Sequence, residues 1–168
     1  ADTLILKSFD ELFDVIQANK FVLASIGGWS SNNPKIAKRI ERWKKFYPDL
    51  VESAINHGKA INCGVVGFTK DADIFKQWYD KALVGREFFI ADETCAQLLL
   101  PIVQHKIISE DYNTSCRHGN ITETTKIIHY HGKKHCKIRN NKPICNGELW
   151  VEAYREVESL NLCDVKSW

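Results

Sequence analysis

Two apolar runs rich in β-branched residues constrain the fold most. They are residues 21–26 (Phe-Val-Leu-Ala-Ser-Ile) and 60–68 (Ala-Ile-Asn-Cys-Gly-Val-Val-Gly-Phe), and both read as buried strands. The segments around them carry a different period. Phe9, Leu12, Phe13 and Ile16 recur at helical spacing, as do Ile36, Ile40, Trp43 and Tyr47. The same holds for Ile74, Phe75, Trp78 and Leu83, for Cys95, Leu98, Leu99, Ile102 and Val103, and for Leu149, Trp150, Ala153, Val157 and Leu160. Further strands are expected at residues 1–6, 106–109, 112–116 and 127–131. This alternation predicts an α/β fold, a mixed sheet with flanking helices, built as a single domain over residues 1–168.

Local signals place the boundaries. Ser8 with Glu11 three residues later reads as a capping box for the first helix. Pro34 after Asn33 opens the second, which Pro48 ends or bends. Residues 49–59 are polar and receive no assignment. The Gly27-Gly28-Trp29-Ser30 sequence is expected to leave the first strand as a loop, either lining a pocket with Trp29 as a stacking surface or folding Trp29 onto the core. Gly64 and Gly67 interrupt the second strand, which marks a bulge or a close approach by a ligand or another backbone.

Composition narrows the partners. A formal charge of +2 is too small to argue for nucleic acid or an anionic membrane, and no apolar run reaches the roughly 18 residues that span a bilayer. No signal peptide is visible. The chain starts at Ala1 and contains no methionine, which fits an excised or mature piece at least as well as a complete gene product. Its six cysteines include no Cys-any-any-Cys pair.

Residues 126–137 (Lys-Ile-Ile-His-Tyr-His-Gly-Lys-Lys-His-Cys-Lys) concentrate the chemistry. On a strand, His129 and His131 share one face about 7 Å apart. Gly132 then permits a sharp turn, and Lys133 and Lys134 surround it with positive charge. A metal-bound diphosphate asks for imidazole, a close backbone and cations; a solvent-facing strand end with a basic turn explains the stretch by itself. Three other positions fall at strand ends or strand-to-helix turns, where α/β sheets hold ligands: Asp2, Asn62–Gly64, and Asp92-Glu93. Carboxylate, imidazole and phosphate oxygen together suit Mn²⁺ or Mg²⁺. Asp92 equally suits a helix N-cap.

These four positions, in this order, resemble the nucleotide-sugar glycosyltransferases of the GT-A fold. Ala1-Asp2-Thr3 before an apolar strand resembles the end of their Asp-any-Asp motif. Asn62-Cys63-Gly64-Val65 is similar to the Asn-Ala/Ser-Gly-Val strand of the glycogenin- and galactinol-synthase-like branch, and Asp92-Glu93 stands where that branch has Asp-Gln. His129-Tyr130-His131-Gly132 resembles its His-any-any-Gly motif, although the lysine expected three residues later is His135 here, with Lys134 one position early. The resemblance implies the C-terminal part of a GT-A domain lacking its nucleotide-binding first half, and weak donor binding by this piece alone. It further implies Asp2 and His129 as metal ligands, with His131 as a weaker third. Asn62, Cys63, Gly64, Gly132, Lys133 and Lys134 would contact a UDP-sugar, and Asp92 and Glu93 would be the catalytic pair acting toward an acceptor hydroxyl. A zinc-binding interaction module built from Cys116, His118, His129, His131, His135, Cys136 and Cys145 is the alternative. A cytoplasmic and a Golgi or secretory-lumen location fit equally.

Overall fold

The computed structural model describes residues 2–31, 33–116, 120–131, 138–139, 142–143 and 146–160. The first half of the chain contains β1 (Thr3–Ile5), α1 (Glu11–Asn19), β2 (Phe21–Ser30), α2 (Pro34–Glu41), α3 (Pro48–His57) and β3 (Lys59–Phe68). Then follow α4 (Ile74–Val84), α5 (Ala91–Leu99), β4 (Lys106–Ile108), β5 (Thr114–Ser115), β6 (Ile127–His129), a β7–β8 hairpin (Ile138–Arg139 and Lys142–Pro143) and α6 (Gly147–Ser159). The two apolar runs pair with each other as expected. β2 is the centre of a mixed sheet, antiparallel to β3 and parallel to β4, in the order β3-β2-β4. A second sheet has the order β1-β6-β5, with β6 antiparallel to β1 and parallel to β5.

Each sheet has its own apolar layer. Phe21, Leu23 and Ile61 from the first sheet pack with Ile36, Ile40, Trp43, Val51, Leu98 and Leu99 from the helices beside it. Every residue of α5 from Glu93 to Leu99 is buried, so this helix fixes the sheet from behind. On the second sheet, Ile128 and Tyr130 pack with Cys116, Leu4, Leu149 and Trp150, and the Tyr130 and Trp150 rings meet edge-on at 5.3 Å. Among the described residues no helix is long and apolar enough to cross a membrane.

Several local expectations give way to tertiary contacts. The capping box does not form: α1 starts at Glu11, and Ser8 bonds the Asp10 carboxylate at 2.8 Å instead. Glu11 turns outward to Lys126 and Tyr112, which hold its carboxyl down at about 2. β2 continues through Gly27, Gly28 and Trp29, because its ladder with β3 carries on to the Ser30–Lys59 pair after register shifts. Pro48 begins a helix rather than ending one, as proline suits the first helical position, and α3 buries only Val51 and Ala54 before Gly58 closes it at φ 73°. Such a narrow apolar stripe gives the sequence little periodicity to read. α5 stops at Leu99, two residues before Pro101, which leaves Ile102 exposed outside it. Residues 112–116 yield only the two-residue β5, and β6 ends at His129, since His131 turns left-handed at φ 49°.

Candidate active site

The middle of β3, the start of β1, the end of β6 and the head of α5 surround a cleft of about 570 Å³. Asp2, His129 and His131 line one side. Asn62, Cys63 and Gly64 of β3 line the other, with Phe89, Ile90, Asp92 and Glu93 at the start of α5. Segments separated by up to 129 residues of sequence thus meet in one place: Asp2, Asn62–Gly64, Asp92-Glu93 and His129 with His131.

Sheet register assembles the first side. Thr3 pairs with His129, and the Tyr130 N–H donates to the Asp2 carbonyl at 2.7 Å, so the Asp2 side chain is delivered to the imidazole. Asp2 Oδ2 lies 3.3 Å from His129 Nε2. Burial pushes the His129 imidazole pKa down, and the Asp2 carboxylate opposes that shift. The left-handed turn at His131 returns its ring over His129, with centroids 4.2 Å apart and planes 24° from parallel. His131 Nε2 meets Ser115 Oγ at 3.0 Å. The two histidines therefore do share one side, through a turn rather than through strand alternation.

The second side is a polar chain set into the core. Arg39 of α2 pairs with Glu93 Oε1 at 3.0 Å, and Glu93 Oε2 accepts from Asn62 Nδ2 at 2.6 Å. Asn62 Oδ1 accepts from the Gly64 N–H at 2.8 Å and from Asn113 Nδ2 at 3.3 Å. Burial raises the Glu93 pKa, with Arg39 as the first opposing influence. Burial also pushes the Cys63 thiol up, which keeps it protonated beside the cleft it helps to line. Asp92 is exposed, and its carbonyl accepts from Trp78 Nε1 at 2.8 Å. Before it, Ile90 takes φ 49°, a conformation that costs a β-branched residue energy and that lays Phe89 open at the cleft rim, 75% exposed.

Gly64 is required by close approach. A Cβ there would lie 2.2 Å from His129 Nδ1 and 2.7 Å from Asn113 Oδ1. Gly64→Ala is expected to cost about 1–3 kcal/mol through overpacking and to displace the His129 ring. Urea unfolding together with His129 chemical shifts checks both parts; an unperturbed ring would contradict the close approach.

Asp2 and His129 present adjacent oxygen and nitrogen donors, a combination that Mn²⁺ or Mg²⁺ accepts with water and phosphate completing the shell. Among the described residues no three His, Cys, Asp or Glu side chains gather into a full ligand set. Of the sequence-derived candidates, Gly132, Lys133 and Lys134 lie outside the described residues, as do His118, His135, Cys136 and Cys145. Cys116 is buried against Ile128 and Tyr130 in the second core. Sequence reasoning missed Arg39 and Asn113: an arginine on an amphipathic helix and an asparagine between a 3-10 turn and a short strand carry no mark of their burial.

No protein-family profile and no curated protein sequence matches the chain. Its structure is similar to that of the galactosyltransferase LgtC in complex with donor and acceptor sugar analogues, with a TM-score of 0.55 and 14% sequence identity. The fold is glycosyltransferase-like. The match takes in 99% of this chain and 61% of that one, so the chain spans less than two thirds of LgtC. The mixed sheets with flanking helices are those of a GT-A-type neighbour.

Proposed function

We propose that the chain belongs to the catalytic domain of a metal-dependent glycosyltransferase, moving a sugar from a nucleoside-diphosphate donor, UDP-linked by resemblance, to an acceptor hydroxyl. The observation that carries this reading is the convergence of Asp2, Asn62–Gly64, Asp92-Glu93 and His129 on one cleft, within a fold similar to that of LgtC. Asp2 and His129 would hold Mn²⁺ or Mg²⁺. A bound ion there supplies positive charge to a departing diphosphate. The strand at Asn62–Gly64 lines the donor-sugar side of the cleft, and Gly64 lets the His129 ring pack against that strand. Asp92, exposed at the head of α5, accepts hydrogen bonds from hydroxyls of sugar or acceptor. Glu93 has both oxygens engaged, by Arg39 and Asn62, so its role is to hold Asn62 in place rather than to attack or deprotonate. Lys133 and Lys134 would add charge at the diphosphate.

The test uses the full-length protein with a panel of UDP-sugars, read as Mn²⁺-dependent UDP binding by calorimetry and as release of UDP. Both signals are expected to vanish with chelator and return with Mn²⁺. Stoichiometric zinc that resists chelators, with unfolding when it is stripped, would instead favour a structural zinc module.

A further inference from the structure

Two buried polar atoms at the cleft have no hydrogen-bond partner among the described residues: His129 Nδ1 and Asn113 Oδ1. Leaving such an atom unsatisfied costs about 1–3 kcal/mol, so two side by side call for a physical account. They address the same point in space, the place where a Cβ on Gly64 would sit 2.2 Å from one and 2.7 Å from the other. The missing Cβ leaves space for both the imidazole and the amide, which flank this point without bonding each other.

We propose that Asn113 is the positioning residue for His129: a small side-chain rotation brings its Oδ1 to accept the Nδ1 proton, which leaves Nε2 with a free lone pair toward Asp2 and the cleft. Only the use of that lone pair, to bind a cation, rests on the transferase reading.

The direction of the bond follows from the far end of the polar chain. Glu93, ion-paired with Arg39, can only accept. Asn62 must therefore turn its Nδ2 to Glu93, which leaves Asn62 Oδ1 to accept from Gly64 and from Asn113 Nδ2. Asn113, fully buried, is thereby set with its amide nitrogen toward Asn62 and its oxygen toward the imidazole. An oxygen that only accepts selects the Nδ1–H tautomer of the neutral ring. His129 Nε2 then meets Asp2 Oδ2 as acceptor facing acceptor. Their 3.3 Å separation is longer than the roughly 2.7–2.9 Å of a charge-assisted hydrogen bond, and a cation between them relieves the repulsion. The charge of the Arg39–Glu93 pair is in this way converted, through two amides, into the tautomer of a histidine on the other sheet.

The tautomer can be read directly by long-range ¹⁵N–¹H correlation on histidine-labelled protein, without metal, at a pH where the ring is neutral. His129→Gln supplies the assignment. The wild-type ring is expected as Nδ1–H. Asn113→Leu moves the proton to Nε2, facing Asp2, whereas Asn113→Asp, which gives up the N–H to Asn62 but keeps an oxygen toward the ring, retains Nδ1–H. Calorimetry with free Mn²⁺ as the probe should show a loss of about 10–100-fold in affinity for the leucine variant and recovery in the aspartate one. An Nε2–H ring in the wild type, or an unchanged tautomer in Asn113→Leu, overturns the proposal. Should the leucine variant not fold, the wild-type tautomer decides alone. Sugar transfer is read nowhere in this experiment: an Nδ1–H ring in a protein without Mn²⁺ affinity supports the Asn113 assignment and contradicts the transferase reading.

Discussion

His129→Ala is expected to lower sugar transfer by the full-length protein by about 10²-fold or more while the chain still folds. The ring belongs to the centre strand of the second sheet, yet the apolar packing of that sheet rests on Ile128 and Tyr130. Backbone pairing with β1 and β5 does not need the imidazole. What the variant loses is the ring nitrogen facing Asp2 Oδ2 at 3.3 Å. Asp2→Asn removes the other half of the same pair. If the two act as one unit, the double variant loses little beyond either single one, because the second change deletes a group that no longer has a task. Mn²⁺ affinity should fall in step with the rate, and a partial return of rate at high Mn²⁺ would mark a binding defect rather than a misplaced substrate. Unchanged transfer by His129→Ala would leave the fold as a scaffold and remove the catalytic reading.

The parts of this site that were legible in the sequence share one property: each lies within or beside an apolar or periodic stretch that announces it. Asn62 and Gly64 interrupt a β-branched run that otherwise has no reason to contain them, and Asp92-Glu93 heads a strongly periodic helix. Asp2 and His129 lie on short strands that are recognisable only because an apolar stretch adjoins each. The groups that hold these residues in position carried no such signal. Arg39 lies on the polar-looking side of α2, and its burial against Glu93 depends on how α2 crosses α5. Asn113 follows a single 3-10 turn and is buried beside Asn62 and Gly64 of β3 and His129 of β6. α3 was hidden for a related reason, since two small-to-medium residues, Val51 and Ala54, make its whole buried stripe. Local pattern reports what a segment does with its own apolar residues; it does not report which polar side chain another segment will cover.

Arg39→Leu tests that hidden layer, and it is expected to destabilise the fold by about 3 kcal/mol at neutral pH, because a buried carboxylate is left without its cation. The Arg39 and Glu93 side chains are 20% and 10% exposed, so solvent screens the pair only weakly. The sign of the pH dependence follows from Glu93. Burial already raises its folded-state pKa above the ordinary 4.5, against the pull of Arg39, and removal of Arg39 raises it further. A carboxyl whose folded pKa exceeds its unfolded one binds more protons in the folded state, so stability falls as pH rises through that window. The deficit of Arg39→Leu relative to the wild type should thus be largest at neutral pH and shrink on acidification, as Glu93 takes up a proton. Urea unfolding across that range measures it. Adding Glu93→Gln should recover most of the lost stability, since an amide keeps an oxygen for Asn62 without a charge to compensate. A deficit that stays constant with pH and survives the second change would mean that the arginine acts through the packing of its aliphatic stem instead. Recovery by glutamine would also explain the pairing itself: where the resembling family carries Gln, this chain carries Glu, and Arg39 is the charge that makes a carboxylate tolerable there.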